Sequence, residues 1–468
     1  MEKVKKGEIV ENLSITDAGA EGNAMARLDN YVVFAEGAVP GDNVDVLIFR
    51  KKKNYAEGRV VKINQPSPNR VEPFCTYFGM CGGCKWQHMD YPTQIHYKQK
   101  HVEDVLQRVA KVALPVCTPI LGSTQQRYYR NKLEFSFSNK SWISREDMEK
   151  GLSADMPALG FHVPGRFDKI LNIEECFLQE DLSNQIRNEV RSFALANNLE
   201  FFDPYAQTGL LRNIILRSTS TGEWMVVVVF KENKSDEINA LLKHLLNKFP
   251  AITSLQYVIN AKRNDTISDQ EVLPFYGRNY ILESMEGLSF RISAKSFYQT
   301  NSLQAYELYK IAREYAGLTG KENVYDLYTG TGTIASFVAS KAKHVTGIDY
   351  IEDAILDARQ NAIDNKISNV TFLAGDIKET LTTDFIAKHG QPDVIITDPP
   401  RSGMHEDVVK TMMTAAPEKI VYVSCNPASQ ARDIQILDSM YAVSAFRPVD
   451  MFPHTTHVEN VMLLSKRA

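Results

Sequence analysis

The chain has 468 residues, too many for one ordinary domain, and its 44% hydrophobic and 24% charged content is that of a globular protein. A net charge of -4 excludes a uniformly basic protein that coats nucleic acid and leaves room only for local basic patches. No apolar run approaches the roughly 20 residues of a membrane helix, and the start Met1-Glu2-Lys3-Val4-Lys5-Lys6 lacks the apolar centre of a signal peptide, so a cytoplasmic protein with no membrane partner is expected.

Residues 7–63 carry short alternating runs, Tyr31-Val32-Val33-Phe34, Val44-Asp45-Val46-Leu47-Ile48 and Arg59-Val60-Val61-Lys62-Ile63, punctuated by Gly22, Gly37 and Pro40-Gly41. Such spacing predicts a small OB-like β-barrel over residues 1–64. Between two of the strands lies Arg50-Lys51-Lys52-Lys53-Asn54-Tyr55. A basic loop beside an aromatic suits RNA backbone binding and base stacking, although a solvated loop has the same composition. The segment resembles the TRAM domain, an RNA-binding barrel of RNA-modifying enzymes, in Gly22, Val32-Val33-Phe34, Val39-Pro40-Gly41-Asp42 and the lysine run.

Cys75, Cys81 and Cys84 follow with C-x5-C-x2-C spacing, and Gly79, Gly82 and Gly83 permit the tight turns that would converge them. In a cytosolic chain such a group favours a metal over disulfides. Iron–sulfur clusters usually take four cysteines. Cys176 is the candidate for the fourth and Cys117 the alternative. Zinc also accepts four thiolates, but its paired C-x2-C spacing is not repeated, so a 4Fe–4S cluster is expected.

Residues 65–290 read as a central α+β domain. Gln94 to Val112 has helical periodicity, with Val102, Val105, Leu106 and Val109 on one face. Strands are predicted at Lys132–Phe137 and Trp224–Phe230, and an amphipathic helix over Ser235–Phe249 with Ser235 as its N-cap. Arg127-Tyr128-Tyr129-Arg130-Asn131-Lys132 interleaves cations with aromatics, as an RNA-facing strand or a solvated sheet edge would.

Residues 291–468 alternate strands and helices. A helix from about Ser302 to Tyr315 follows Phe297-Tyr298-Gln299-Thr300-Asn301. Strands are predicted at Asn323–Tyr328, His344–Ile348, Val370–Leu373, Val394–Ile396, Ile420–Val423 and Val461–Leu464. This is the pattern of a doubly wound α/β sheet, which binds ligands beyond the carboxyl ends of its strands. Gly330-x-Gly332 follows the first of these strands, and Asp349 ends the next about 20 residues on, where a ribose-binding acid sits in dinucleotide folds. Ala335 stands where a dinucleotide site wants its third glycine, and Asp326 suits a cationic ligand better than a pyrophosphate. The pattern resembles the class I (Rossmann-like) methyltransferase fold, which binds S-adenosylmethionine.

Asp398-Pro399-Pro400 is followed by Arg401 rather than by the aromatic usual in amino-methylating enzymes, and Cys425 ends the next strand, which favours a carbon acceptor. Uracil C5 is too weak a nucleophile to take a methyl group unaided. A thiolate added at C6 activates it, and a base must then remove the C5 proton. Cys425 is the candidate thiolate. Glu459, in the polar insert Asp450–Glu459, is the candidate base, with His457 and His454 as alternatives.

Phe297-Tyr298-Gln299-Thr300-Asn301, Asp326-x-Tyr328-x-Gly330-x-Gly332, Asp398-Pro-Pro-Arg-x-Gly403, Ser424-Cys425-Asn426-Pro427 and Phe452-Pro-His-Thr-x-His457-Val-Glu459 together resemble the RNA uracil-5-methyltransferase family over nearly the whole chain. The resemblance implies that Cys425 attacks C6 and Glu459 takes the proton. It implies that Gln299, Tyr328, Gly330, Gly332, Asp349, Asp376 and Asp398 surround S-adenosylmethionine and that Phe297 and Arg401 hold the target. Thr333 departs from the Asn often found there. The cysteines, with Cys176, resemble the ribosomal RNA branch, which carries a 4Fe–4S cluster. Cluster and TRAM domain together imply 23S ribosomal RNA as substrate, with transfer RNA as the alternative; separately, a monomer is expected. A cytosine-5-methyltransferase would share the cysteine, and an RNA-binding assembly factor would share the barrel. Arg401 and Glu459 fit uracil better than cytosine, and the intact Cys425, Glu459 and Gly330/Gly332 argue against a vestigial pocket.

Overall fold

Alternation along the chain resolves into three large sheets and one hairpin in the computed structural model, which describes residues 4–19, 21–144, 148–151 and 153–467. The first sheet has six strands in the spatial order Ile9–Ser14, Asn43–Lys51, Tyr55–Gln65, Tyr31–Glu36, Ala24–Leu28 and Asp17–Ala18. Inward residues such as Val33, Ala35, Val44, Val46, Ile48 and Ala56 form its own small core. The basic run expected as a loop is a tight hairpin, with one strand running to Lys51 and the next resuming at Tyr55. Lys51, Lys52 and Lys53 are exposed, but the Tyr55 ring packs edge-on against Phe34, and the Tyr31 hydroxyl donates to the Lys52 and Tyr55 carbonyls. Tyr55 therefore serves the barrel.

The second sheet runs Val272–Gly277, Ile252–Ile259, Trp224–Phe230, Leu211–Ser218, Lys132–Ser138, Ala158–His162 and Ile170–Asn172. Every residue of Trp224–Phe230 is buried. Val226, Val228 and Phe230 pack under the helices Leu182–Ala196 and Ser235–Lys248, while Met225, Val227 and Val229 face the opposite way. Both faces are covered, which is why this strand reads as a continuous apolar run. Ser235 is the first helical residue and not the cap; Lys234 occupies that position, with Asp236 and Glu237 in the first turn.

The third sheet has the order Val370–Ala374, His344–Asp349, Asn323–Leu327, Val394–Thr397, Lys419–Ser424, Glu459–Lys466 and Tyr441–Val449. The first five strands are parallel, and Glu459–Lys466 is antiparallel to both of its neighbours. The edge strand Tyr441–Val449 escapes the sequence reading because a bulge between Val443 and Ala445 breaks its alternation. On one face the sheet shares a core with the second sheet and with the hairpin Tyr280–Met285/Leu288–Ser293.

The other face is covered by the helices Glu406–Ala415 and Pro427–Leu437 and, unexpectedly, by the helix Tyr91–Val105 with its π-turn Leu106–Ala110. The helix is capped by Asp90, whose side chain accepts from Thr93 N. Its buried stripe is Gln94, Lys98, Val102, Leu106 and Ala110; Val109, expected inside, is exposed. Lys98 donates to Asp450 Oδ1 at 2.6 Å, both side chains fully buried, and to the Phe452 carbonyl at 2.9 Å. Asp450 Oδ2 accepts from the Tyr91 hydroxyl. Removing one partner of such a pair strands a charge in the interior. Lys98→Met is expected to lower stability by about 3–5 kcal/mol, read from the urea midpoint at neutral pH; an unchanged midpoint would show that the pair contributes nothing.

Candidate active site

Strand register brings the functional residues to one edge. Leu327 lies beside Thr397 and Thr397 beside Tyr422, so Tyr328, Asp398 and Cys425 leave the carboxyl ends of adjacent parallel strands. The antiparallel strand pairs Ser424 with Asn460, so one step further Cys425 stands opposite Glu459.

The turn after Leu327 is built by Asp326, whose Oδ2 accepts from Thr329 Oγ1 at 2.5 Å and from Ala335 N at 3.0 Å. Its Oδ1 is buried with no partner among the described residues. Asp326 therefore braces the loop. Gly332, at φ 73°, is held by packing, since a Cβ there would meet Phe372 Cζ at 2.6 Å. Beside Gly330 a Cβ would meet nothing within 4 Å, which leaves room for a ligand. Asp349 accepts Gly330 N on one oxygen and Ile351 N on the other, each at 2.9 Å. Asp376 is exposed and caps the short helix Ile377–Thr380 through Lys378 N. Tyr328 is half-buried at φ 62°.

The loop Asp398–Gly403 is tied to the helix Pro427–Leu437. Buried Asp433 accepts from Met404 N at 2.9 Å and from the Tyr422 hydroxyl at 2.7 Å, and Arg432 donates to the Ser402 and Met404 carbonyls. Asn426 caps the same helix through Ala428 N, and its Nδ2 donates to the Arg401 carbonyl at 2.9 Å. Cys425 is thus held between a fixed strand and a capped helix, partly open to solvent.

Of the residues weighed as the base, Glu459 lies at this edge and is buried. His454 does not. Its N–H and Nδ1 meet the Gln94 amide, and its carbonyl accepts from Lys85 N and Trp86 N. Burial pushes its imidazole down to about 4, so it is a neutral strut. His457 is exposed.

Three carboxyls share the edge. Burial first, then the charge of Asp398, raises Glu459 to about 8; Asp398 is raised to about 7 by burial, and Asp326 to about 7 by burial and the neighbouring acids. Burial, Glu459 and Asp398 push the Cys425 thiol up to about 11, against the pull of Arg401. Tyr309, on the helix Ser302–Ala316, is raised by burial and by Asp398, Tyr298, Asp326 and Glu459. Phe297 is 67% exposed, whereas Gln299 is buried with its carbonyl accepting from Asn131 Nδ2. Arg401 is exposed, and its charge reaches Cys425, Glu459 and His457.

Residues 207–467 match the sequence family described as tRNA (uracil-5-)-methyltransferase, and residues 3–61 match the TRAM domain. An RNA methyltransferase of Bacteroides thetaiotaomicron, named as uncharacterized, is 56% identical over 452 residues, covering 96% of this chain and 100% of that protein. Its Chlorobaculum tepidum counterpart is 38% identical over 468 residues, covering 98% of this chain and 96% of that protein. This chain belongs to the tRNA (uracil-5-)-methyltransferase family. It is an S-adenosylmethionine-dependent RNA methyltransferase, as expected from its motifs. The crystal structure of Pyrococcus abyssi tRNA (uracil-54, C5)-methyltransferase with S-adenosyl-L-homocysteine superposes with a TM-score of 0.74 at 26% identity, covering 97% of this chain and 100% of that one.

Elsewhere in the methyltransferase, the four expected cluster ligands lie together. Cys81 and Cys84 pack against the core that contains Cys176, and burial together with the charges of Cys176, Cys81 and Cys75 pushes Cys84 up to about 12. Among the described residues, however, no three His, Cys, Asp or Glu side chains converge closely enough to hold a metal ion. The expected ligand set is therefore present as neighbours, without the geometry of a metal centre. Cys117, the alternative fourth ligand, packs instead against the third sheet, where burial and Glu103 raise its thiol to about 12.

Sequence reading missed Lys98, Asp450, Asp433 and Tyr309. A signal existed for Lys98, which shares the helical stripe of Val102 and Leu106, and for Tyr309, which adjoins Leu308 on a buried face. The carboxyls make a pH prediction. Glu459 holds its proton in the fold to about pH 8 and loses it near pH 4.5 when unfolded. Its stabilising contribution is full below about 4.5 and falls away as pH rises through 8. Glu459→Gln is therefore expected to gain stability relative to wild type between pH 5 and pH 9 in denaturant titrations, and a pH-independent difference would contradict the assignment.

Proposed function

We propose that this enzyme methylates C5 of a uridine in RNA through a bond between Cys425 Sγ and uracil C6, with Glu459 as the base. The facing register of Cys425 and Glu459 carries the reading, because addition at C6 and proton removal at C5 need a nucleophile and a base on adjacent carbons of one ring. Orphaned Asp326 Oδ1, the open space beside Gly330 and the acidic edge fit a cationic cofactor. Gln299, Tyr328, Gly330, Gly332, Asp349, Asp376 and Asp398 would surround S-adenosylmethionine, which supplies an electrophilic methyl carbon when bound. Positive charge beside Asp398 and Glu459 would also favour their ionised forms.

Cys425, as the thiolate, adds to C6 and drives electron density to C5, where the new carbon–carbon bond forms. Glu459 then takes the C5 proton, the C5–C6 double bond returns, and the Cys425 thiolate leaves. Phe297 offers an exposed ring for stacking the displaced base, and Arg401 a cation beside the nucleophile. Residues 1–64 would grip RNA, residues 65–290 would position it, and residues 291–468 would carry the chemistry, in a cytoplasmic monomer.

The cysteine set supports 23S ribosomal RNA as substrate through its family resemblance. Transfer RNA is the second reading, favoured by the Pyrococcus tRNA enzyme, whose whole length aligns with 97% of this chain. That alignment removes the barrel as an argument against transfer RNA. Within the same proposal, Cys75, Cys81, Cys84 and Cys176 hold a 4Fe–4S cluster with a structural or RNA-positioning role. Their neighbouring thiols suit a cluster, in which each cysteine ligates a different iron.

With labelled cofactor and separate 23S and transfer RNA transcripts, Cys425→Ala is expected to form no 5-methyluridine; methylation surviving it would sink the nucleophile assignment. Glu459→Gln should slow turnover by about 10²–10⁴-fold and accumulate a denaturation-stable protein–RNA adduct, since the methylated adduct cannot eliminate. Anaerobically purified protein should contain iron with visible absorbance, both lost in Cys176→Ala; zinc in place of iron would overturn the cluster.

A further inference from the structure

Asp357, Asn361 and Asn365 recur every fourth residue along the helix Glu352–Asp364 and its C-cap, so they share one face. That face lies against Leu288–Ser293, a strand paired on one side alone, with Tyr280–Met285. Its other edge meets side chains. Asn365 accepts from Ser289 N at 2.7 Å and donates to the Ser289 carbonyl at 2.6 Å. Asn361 Oδ1 accepts from Arg291 N at 2.8 Å. Asp357 accepts from Ser296 Oγ at 2.7 Å, and that hydroxyl accepts in turn from Ser293 N at 2.9 Å. Four helical residues advance about 6 Å and two strand residues about 6.7 Å. The spacings nearly match, so the rungs form in step.

The middle rung differs from the others. Asn361 is fully buried, and its Nδ2 donates to the Thr331 carbonyl at 3.2 Å. Thr331 stands between Gly330 and Gly332 in the turn after the strand Asn323–Leu327. Close packing reinforces the link, because a Cβ at Gly332 would also meet Ala358 Cβ, on the same helix, at 2.9 Å. One amide thus joins the glycine turn to the strand that leads into Ser296–Asn301. The outer rung at Asp357 holds the start of that segment, just before Phe297 and Gln299. Only an amide serves both sides of the middle rung: an aspartate of the same size keeps the acceptor alone, and a leucine keeps neither.

We propose that Asn361 is a positioning residue for S-adenosylmethionine, holding the glycine turn at a fixed distance from the segment that carries Phe297 and Gln299. This role rests on the reading that Gly330–Gly332 borders the cofactor, and it adds the buried residue that keeps the border in shape. Without the Asn361 donor, the Thr331 carbonyl is left unpaired in the interior and the turn shifts to satisfy it. Binding the cofactor must then restore the turn, and the cost appears as lost affinity. Asn365 bonds the strand and its own helix but not the turn, which makes it the matched control.

The test is calorimetric binding of S-adenosyl-L-homocysteine to the full chain. Asn361→Leu and Asn361→Asp are each expected to weaken binding about tenfold and to raise the cofactor KM by the same factor. Asn365→Leu removes two bonds from the same ladder and is expected to lower the melting midpoint while keeping wild-type affinity. Equal affinities in the Asn361 and Asn365 variants would overturn the positioning role. A second measurement needs no variant. In the wild-type protein, S-adenosyl-L-homocysteine is expected to slow hydrogen exchange at the Arg291 amide more than at the Ser289 amide, and equal slowing would likewise overturn the role. Gly330→Val, which puts a side chain into the open space beside the turn, should abolish binding. Wild-type affinity in that variant would remove the cofactor reading itself, whereas binding lost there and kept in the Asn361 variants would remove the positioning role alone.

Discussion

The antiparallel strand Glu459–Lys466, inserted between Lys419–Ser424 and Tyr441–Val449, is the constraint on which the site depends. A parallel strand in that place would start at the far edge of the sheet and carry Glu459 away from Cys425. Running antiparallel, it begins where its neighbour ends, so the two residues meet with no loop to span. The ladder on both sides fixes this register, because a slip of one residue would exchange Val461, which packs in the core shared with the second sheet, with Met462 and Leu464, which pack under the helices on the other face.

The insert before that strand needs its own anchors. Lys98 and Gln94 reach in from a helix more than 350 residues earlier, and Asn301 and Tyr129 take the carbonyls of Met451 and Pro453. Because the chain returns to Lys85 and Trp86 at the His454 carbonyl, the loop that carries the cysteines is bonded directly to the segment that carries Glu459. The core shared by the second and third sheets adds an apolar seal.

Electrostatically the edge stores acidity that neutral water would not allow. Glu459, Asp398 and Asp326 are all raised toward or beyond neutrality, chiefly by burial, and the Cys425 thiol is raised with them. Such a site favours ionisation beside a cation, which suits a cofactor that carries positive charge on sulfur.

Much of this was legible in sequence because it is local. Gly330 and Gly332 mark a turn, Val394–Ile396 and Ile420–Val423 mark buried strands, and Asp398, Cys425 and Glu459 follow or precede such strands by one or two residues. The barrel and the doubly wound sheet follow from periodicity in the same way, since the pleat and the helical turn repeat within a few residues. Pairings across the chain were not legible. Whether a lysine at 98 is solvated or locked to Asp450, whether His454 is a base or a strut, and whether Arg130 faces solvent or Thr300 depend on which distant segment arrives beside it. Sequence determined the elements and the chemistry at their ends; tertiary structure decided which charges are paired and which are left free, because burial and long-range neighbours set the energy of a charge.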